Sequence, residues 1–317
     1  MEDINTSKAI LVGVCTGKDE IFNYEMKELV SLCEACNIEC VEIVTQNLTN
    51  TNNATYVGSG KLLEIAELCN LIEVDYVIFN DELSPAELSN IADAIPCEIM
   101  DRTMLILEIF KVRAKTKEAT LQVELANLNY MLPRLVGARK NLSRIGGGGG
   151  GGGGARRGAG ETKLELDRRY IENRINKLKS ELQEVVLSRQ TSRKSRSKNE
   201  VKTVAFVGYT NAGKSSTINS ILDIVSKDED KQVFVKDMLF ATLETSTRAI
   251  KLPTNEEFLI TDTVGFVSNL PHHLIESFKS TLEEIKEASL IVHVVDASSP
   301  YSNLHIKTTN DVLNSFG

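Results

Sequence analysis

The sequence predicts an α/β protein built in three parts: a doubly wound α/β domain over residues 1–101, a long antiparallel helical hairpin over residues 102–199, and a second α/β domain over residues 200–317. Three observations predict this architecture. Short apolar runs alternate with helical patterns at the N-terminus, two helical seams of leucine and isoleucine follow, and an apolar strand then leads into a glycine-bracketed loop and a helix. A length of 317 residues also favours more than one domain.

The first hundred residues alternate predicted strands with predicted helices. Strands are expected over 9–15, 39–44, 74–80 and 97–100, and helices over 24–36, 61–71 and 84–94. Such alternation is typical of a parallel, doubly wound sheet. Pro85 directly after Ser84 indicates a helix start, with Ser84 as the N-cap and Pro85 in the first turn.

Gly58-Ser59-Gly60-Lys61 has the look of a phosphate-binding loop, but its spacing is wrong. The opening glycine would have to stand at position 55, which is Thr55, and Leu62 offers no oxygen to a magnesium ion. We therefore expect a turn at the start of a helix, with a binding role left open.

Two helical patterns dominate the middle of the chain. Residues 102–132 and 161–189 each contain an apolar seam at spacings of three and four; the seams are Leu121, Leu125, Leu128 and Leu132, and Ile171, Ile175, Leu178, Leu182 and Val185. Because neither seam can be buried alone, the two predict an antiparallel hairpin. Two helices docked separately on neighbouring domains are the alternative.

The middle of the chain is also basic. Residues 134–202 contain 18 Lys and Arg against seven Asp and Glu, although the whole chain carries a net charge of −8. The loop between the seams has nine consecutive glycines, 146–154, flanked by Arg139, Lys140, Arg144, Arg156 and Arg157. A mobile basic loop that contacts RNA is one interpretation, and a tolerated glycine expansion beside a solvated basic face is the other. Residues 189–198 are interpreted as a basic linker.

Composition gives broader limits. The 42% hydrophobic and 25% charged residues are ordinary for a globular protein. No apolar run approaches the roughly 18–20 residues that span a bilayer, and the N-terminus lacks the pattern of a signal peptide, so we expect no membrane span and a cytoplasmic location. Cys33-x-x-Cys36 has neither a second pair nor nearby histidines, which favours helical thiols over a metal site.

The stretch VKTVAFVGYTNAGKSS, residues 201–216, predicts a strand, a phosphate loop and a helix. An apolar strand precedes the G-x-x-x-x-G-K-S pattern, and apolar residues recur at helical spacing from Ile218 to Val225. In this motif backbone N–H groups turn toward one anion, the lysine reaches the β and γ phosphates, and the serine can bind magnesium. The loop residues are Gly208, Tyr209, Thr210, Asn211, Ala212, Gly213, Lys214 and Ser215.

Two downstream stretches complete a nucleotide site. A short apolar strand over 258–261 precedes Asp262-Thr263-Val264-Gly265, in which the carboxylate can hold magnesium, directly or through water, and the glycine N–H can meet the γ-phosphate. With the phosphate loop, this pattern indicates a nucleoside triphosphatase of the GTPase type. Residues 240–247 are placed as a first switch loop, and the residues alone leave Thr242, Thr245 and Thr247, or a plain polar loop, open.

From about Tyr56 onward, the chain resembles the HflX family of ribosome-associated GTPases. The resemblance rests on GYTNAGKS, LFATLETSTR and DTVGFVSNLPHHLIESFKSTLEE, with YVGSGK, FNDELSP, DRTMLILEIF, QVELANLNYMLPRL and GAGETKLELDRRYIENRI upstream. It implies an N-terminal α/β domain, a helical hairpin and a P-loop GTPase domain. It also implies binding to the large ribosomal subunit and its rRNA, and in bacteria the separation of ribosomal subunits. We expect the chain itself to be a monomer.

The resemblance further implies a set of site residues. Contacts to GTP or GDP fall on residues 208–215 and on Phe240, Ala241, Thr242, Leu243, Glu244, Asp262, Thr263, Val264 and Gly265. Magnesium falls on Ser215 and Thr242, and Lys214, Thr242 and Gly265 are the catalytic set. Asn211 matches an asparagine that related GTPases use for a potassium ion.

Phe266 follows the DTVG stretch where many small GTPases have the glutamine that orients the attacking water. A phenyl ring cannot do this. We therefore expect slow intrinsic hydrolysis, with the water positioned by other groups or by the ribosome.

After a predicted strand over 290–296, the chain ends at Gly317 without an N-K-x-D segment, the part that distinguishes guanine. We therefore expect an incomplete GTPase domain, an apolar sheet edge and weaker nucleotide affinity than in a longer chain. Guanine preference rests on the resemblance. The alternatives are an RNA-binding module with an inert nucleotide domain, and an ATPase.

Overall fold

The structure is a computed structural model that describes residues 6–17, 19–135, 157–197, 202–225, 239–240, 243, 245–252, 254–271, 274 and 285–315. Within the long helix of the middle region, side chains are described for residues 165–187. The chain divides into two compact units, residues 1–109 with 125–178 and residues 110–124 with 179–317. The predicted division into three domains stays a prediction.

The first unit contains a four-stranded parallel sheet of order β2-β1-β3-β4. Its strands are β1 (Ser7–Cys15), β2 (Ile38–Asn47), β3 (Tyr76–Phe79) and β4 (Glu98–Asp101). The last seven residues of β1 are all buried, as expected for a central strand with helices on both faces. The predicted doubly wound parallel sheet is confirmed.

Three helices connect these strands: α1 (Asp19–Ala35), α2 (Ser59–Ile72) and α3 (Pro85–Ala94). Gly58 is the N-cap of α2, so the stretch from Gly58 is a helix start, as predicted. Ser84 caps α3: its Oγ accepts from the Glu87 N–H at 3.3 Å, while the Glu87 carboxylate accepts from the Ser84 N–H at 2.8 Å. This reciprocal pair fixes where α3 begins.

The carboxyl edge of this first sheet is filled by polar side chains that bind one another. Arg102 and Glu28 form an ion pair in which the two side chains are only 2% and 3% exposed, and Arg102 Nη1 also donates to Asn80 at 3.1 Å. Asp101 accepts from the backbone N–H of Leu83 at 3.0 Å and from the Tyr130 hydroxyl. Burial of these groups is compensated by partners within the unit.

The helical middle region differs from the prediction in two places. Residues 102–132 form two helices, α4 (Arg102–Arg113) and α5 (Lys117–Met131), followed by a 3-10 turn over Leu132–Arg134. The break occurs because Thr116 caps α5, accepting from the Ala119 N–H at 3.2 Å. The next helix, α6 (Arg157–Ser197), is 41 residues long and includes most of the stretch that was predicted as a linker.

Several predictions fall outside the described residues. The glycine run 146–154 and its flanking Arg139, Lys140, Arg144 and Arg156 are among them, whereas Arg157 opens α6. The antiparallel hairpin therefore stays a prediction. Among the helices that the structure describes, none combines the length and apolarity needed to cross a membrane.

The second unit contains a four-stranded sheet of order β6-β7-β5-β8. Its strands are β5 (Lys202–Gly208), β6 (Ser246–Lys251), β7 (Glu257–Asp262) and β8 (Leu290–Val294), and its helices include α7 (Lys214–Val225) and α8 (Ser302–Ser315). β5 pairs in parallel with β7 and β8, and β6 pairs with β7 in the antiparallel sense. β6 is not predicted from the sequence, because its first two residues fall within the polar stretch 240–247 that is interpreted as the first switch loop.

Candidate functional site

The phosphate loop lies between β5 and α7, as predicted. β5 ends at Gly208 and α7 begins at Lys214. Between them Asn211 and Gly213 have φ angles of 58° and 90°, in the left-handed region that a glycine or asparagine adopts most easily. Positive φ values within such a turn make neighbouring N–H groups converge on one point, which creates an anion site beside the positive end of α7.

Lys214 is held inside this loop. Its side chain is 6% exposed, and Nζ donates to the carbonyl oxygens of Gly208 at 3.2 Å and Tyr209 at 2.8 Å. Burial lowers the pKa of Lys214 to about 8, although the nearby Asp262 carboxylate acts in the opposite direction. Among the described residues Lys214 forms no ion pair with a carboxylate, so its ammonium is poised for an incoming anion.

Two oxygen ligands lie side by side at the start of α7. Ser215 Oγ donates to Asp262 Oδ2 at 2.6 Å. Asp262 is brought there by the parallel pairing of β5 and β7, which places it opposite Phe206. A hydroxyl and a carboxylate are the kinds of oxygen that Mg²⁺ binds beside nucleotide phosphates, so this pair fits the predicted ion.

The DTVG stretch runs directly against the phosphate loop. The Phe266 N–H donates to the Gly208 carbonyl at 3.1 Å, and the Thr210 N–H donates to the Phe266 carbonyl at 2.7 Å. Gly265 permits this approach, because a Cβ at that position would lie 2.6 Å from the Thr210 Cα and 2.9 Å from Lys214 Nζ. The Thr263 hydroxyl anchors the stretch to β5 by donating to the Phe206 carbonyl at 2.6 Å.

The side chain of Phe266 points into the protein core. It is 2% exposed and packs in a cluster with Ala205, Val207, Ile285 and Val312. The ring is thus a core group, which agrees with the expectation that it does not orient water. Val264, at 8% exposure, is buried as well.

Two contacts of Tyr209 were not found from the sequence. Its hydroxyl accepts from the Ser268 N–H at 2.8 Å and shares a hydrogen bond of 2.6 Å with Ser268 Oγ. Its ring stacks on His305 of α8, with centroids 4.0 Å apart and planes at 14°. These residues are 59 or more positions apart in the sequence, so no local motif signals them.

The first switch loop is described only in part. Ala241, Thr242 and Glu244 lie outside the described residues, whereas Phe240 and Leu243 are buried at 1% and 4% exposure. Thr247 belongs to β6, where its hydroxyl bonds to that of Thr261 at 3.1 Å. It is therefore part of the sheet, and of the three threonines Thr242 and Thr245 remain as loop candidates.

These features define a P-loop nucleoside triphosphatase. A parallel strand leads through a G-x-x-x-x-G-K-S loop into a helix. An aspartate of the neighbouring strand accepts a hydrogen bond from the serine of the loop, and a glycine packs closely against the loop backbone. Family models support this class and narrow it. Those described as GTP-binding GTPase N-terminal, GTP-binding GTPase middle region and 50S ribosome-binding GTPase match residues 23–111, 113–196 and 203–315.

Relatives are similar over almost the whole chain. The GTPase HflX of Caldanaerobacter subterraneus subsp. tengcongensis is 44% identical over 319 residues, covering 100% of this chain and 71% of that protein. The GTPase HflX of Lacrimispora saccharolytica is 46% identical over 310 residues, covering 98% and 70%. A crystal structure of SsGBP in complex with GDP is similar at a TM-score of 0.55 and 26% identity, covering 98% of this chain and 79% of that one.

The chain belongs to the GTPase HflX family. It is a GTP-binding P-loop protein and a GTP hydrolase.

Proposed function

We propose that GTP binds with its phosphates on the loop 208–215, with Mg²⁺ held by Ser215 and Thr242. The observation that supports this most strongly is the arrangement of Lys214, Ser215 and Asp262, which places a buried ammonium beside two adjacent oxygen ligands. Residues 240–244 and 262–265 complete the nucleotide contacts. Asp262 holds the ion directly or through a water molecule.

Hydrolysis in this proposal depends on charge stabilisation at the γ-phosphate. Lys214 would supply the positive charge, Thr242 would contribute a hydroxyl to the ion, and Gly265 would offer its backbone N–H. Mg²⁺, when bound, would neutralise part of the phosphate charge. Because the Phe266 ring packs in the core, the attacking water is oriented by another group or by the ribosome.

A potassium ion beside the phosphates, held by Asn211, is part of the same proposal. The Asn211 backbone is in the left-handed region, within the turn that faces the anion site. Turnover is expected to be higher in KCl than in NaCl at equal ionic strength. Equal turnover in both salts would remove the potassium site from the proposal.

The proposed partner is the large ribosomal subunit with its rRNA, which the chain binds as a cytoplasmic monomer and which it splits from the small subunit. The excess of positive charge over residues 134–202 supports contact with a polyanion. The match to a family described as 50S ribosome-binding GTPase supports the same partner.

The test is co-sedimentation of the full chain with isolated large subunits, in the presence of GDP, a non-hydrolysable GTP analogue or no nucleotide. We expect the analogue to increase the bound fraction, and the Lys214→Met variant to lose this increase. Binding that ignores nucleotide would favour an RNA-binding module with an inert nucleotide domain. Competition between GTP and ATP for the free protein separates a GTPase from an ATPase.

A further inference from the structure

Two cysteines of the first unit lie with their sulfur atoms in contact. Cys69 is in the last turn of α2, and Cys97 directly precedes β4. The thiol of Cys97 donates to Cys69 Sγ at 3.3 Å. Both residues are free thiols. A reduced pair is therefore held close to the distance at which a covalent bond can form.

The backbone on both sides of the pair holds the two sulfurs together. The Glu73 N–H donates to the Cys69 carbonyl at 3.1 Å and closes the end of α2. Two residues later, the Asp75 carbonyl accepts from the Glu98 N–H at 3.1 Å, at the start of β4. A disulfide bond of about 2.05 Å needs a further approach of roughly 1 Å. Rotation about the Cα–Cβ bonds of the two cysteines supplies this approach.

The surroundings of the pair favour a reactive thiolate. Cys69 is 4% exposed and belongs to the apolar core of the unit, whereas Cys97 is partly exposed at the margin of that core. The hydrogen bond from Cys97 lowers the pKa of Cys69, although burial acts in the opposite direction. The thiolate is the form of cysteine that attacks an oxidant. The exposure of Cys97 leaves the pair open to a small oxidant.

Other cysteines of the first unit are in different surroundings. Cys33 is fully buried, and burial raises the pKa of its thiol, which therefore stays protonated and inert. Cys15 donates to the Asp19 carboxylate at 3.3 Å, and Cys40 donates to the Glu42 carbonyl at 3.7 Å. A hydrogen bond to oxygen does not prepare a sulfur for a disulfide. The contact between Cys69 and Cys97 joins two sulfurs.

We propose that Cys69 and Cys97 are a modification site, at which a peroxide produces a reversible disulfide that links α2 to β4. The Cys69 thiolate attacks one oxygen of hydrogen peroxide, the O–O bond breaks, and the hydroxide that leaves takes up a proton as water. Cys97 then attacks the sulfenic sulfur, the S–S bond forms, and the hydroxyl leaves with the Cys97 proton as a second water. A dithiol reverses the reaction by exchange. Reversibility suits a reducing compartment, where such disulfides are transient.

The test treats the full chain with one equivalent of hydrogen peroxide, unfolds it and alkylates the thiols that remain before mass spectrometry. We expect the number of free thiols to fall from six to four, with a peptide link between Cys69 and Cys97, and dithiothreitol should restore all six. Cys97→Ser should form no such link. The matched control is Cys40→Ser, at another partly exposed cysteine, and it should form the link as the wild type does.

Six remaining thiols in the wild type, a link between other cysteines, or oxygen added to Cys69 or Cys97 without a link would overturn the site. Hydrogen exchange then tests the effect of the bond. Amides of residues 62–72 and 98–101 should exchange about tenfold more slowly in the oxidised wild type than in the same protein after reduction, because the link restricts local opening. Equal exchange in the two forms would overturn the proposed link between α2 and β4 as a stabilising one.

Discussion

The two units place polar groups at the same position, the carboxyl edge of a largely parallel sheet, and treat them differently. In the first unit, Arg102 is paired with the Glu28 carboxylate. In the second unit, Lys214 is also buried, and within the described part of the chain its Nζ donates to the carbonyls of Gly208 and Tyr209 and forms no ion pair with a carboxylate. The carboxyl edge of an open α/β sheet is the usual place for a ligand. Here the buried cation of the first edge is paired with a carboxylate of the same unit, whereas the buried cation of the second edge is available to a bound anion.

A binding edge and a structural edge differ in what neutralises the buried cation. A buried cation with a fixed carboxylate partner contributes to the fold, and removing the partner leaves an uncompensated charge. A buried cation that is bound only by its own loop has its pKa lowered by burial, and it regains a charged partner when an anion binds. Mutations at the two edges should therefore affect different properties.

The largest effect is expected at the first edge. Glu28→Ala leaves the Arg102 guanidinium buried without its carboxylate, which should cost about 3–5 kcal/mol of unfolding free energy. Chemical denaturation measures this, and GTP affinity of the folded variant should stay unchanged. The matched control is Glu172→Ala, which breaks an exposed pair with Arg168 at 2.9 Å and should cost less than about 0.5 kcal/mol. Equal costs for the two variants would refute the structural role of the first edge.

The reverse pattern is expected at the second edge. Lys214→Met should lower GTP and GDP affinity about 100-fold, or roughly 2.7 kcal/mol, because the charged hydrogen bonds to phosphate are lost. The variant should be as stable as the wild type or more so, since a buried charge is replaced by an apolar chain of similar length. Titration calorimetry and thermal unfolding measure the two quantities. If Lys214→Met were strongly destabilised but kept its nucleotide affinity, the second edge would be structural and not a binding edge.

A smaller effect on stability is expected at Tyr209, whose side chain bonds to Ser268 and stacks on His305 within the second unit. Tyr209→Phe keeps the stacking on His305 but removes the acceptor of the Ser268 N–H, at a cost of about 1–2 kcal/mol in unfolding free energy. Tyr170→Phe, on a residue that is 72% exposed, is the control and should be neutral. An unchanged denaturation midpoint for Tyr209→Phe would mean that this hydrogen bond contributes nothing to the unit.

The smallest effect concerns pH. Burial lowers the pKa of His305, although the Asp296 carboxylate acts in the opposite direction. The unfolded chain therefore takes up a proton at higher pH than the folded one, and stability falls as pH decreases from the unfolded pKa of about 6.5 toward the folded value. His305→Phe, which keeps a ring against Tyr209, should lose less stability than the wild type between pH 7 and 5.5. If the plots of unfolding free energy against pH were parallel for the variant and the wild type, His305 would not contribute to the loss of stability in acid.

The sequence predicts well what local chemistry determines. The predicted strands, the helix start at Ser84 and Pro85, and the loop between β5 and α7 are all present, because each depends on residues that are close in the chain. The break before α5 is not predicted, because the leucine seam begins only at Leu121, beyond the break, and the one local signal is the cap Thr116. The length of α6 is not predicted, because serines interrupt the basic residues near its end, although arginine and lysine favour helix.

The contacts that position the site could not be predicted. Thr210 meets Phe240 across 30 positions, and Tyr209 meets Ser268 across 59. Both depend on how DTVG and the switch loop pack onto the phosphate loop, and no periodicity or motif encodes that approach. The ion pair of the first unit is similar, since Arg102 and Glu28 are 74 positions apart and no motif signals that they pair.

Amide hydrogen exchange of the full chain, with and without a Mg²⁺-bound GTP analogue, tests the contrast between the two edges most directly. We expect slower exchange at residues 209–215, 240 and 263–266, and unchanged exchange at residues 80–84 and 101–104 of the first unit. Protection of the first edge with no change in the phosphate loop would contradict it.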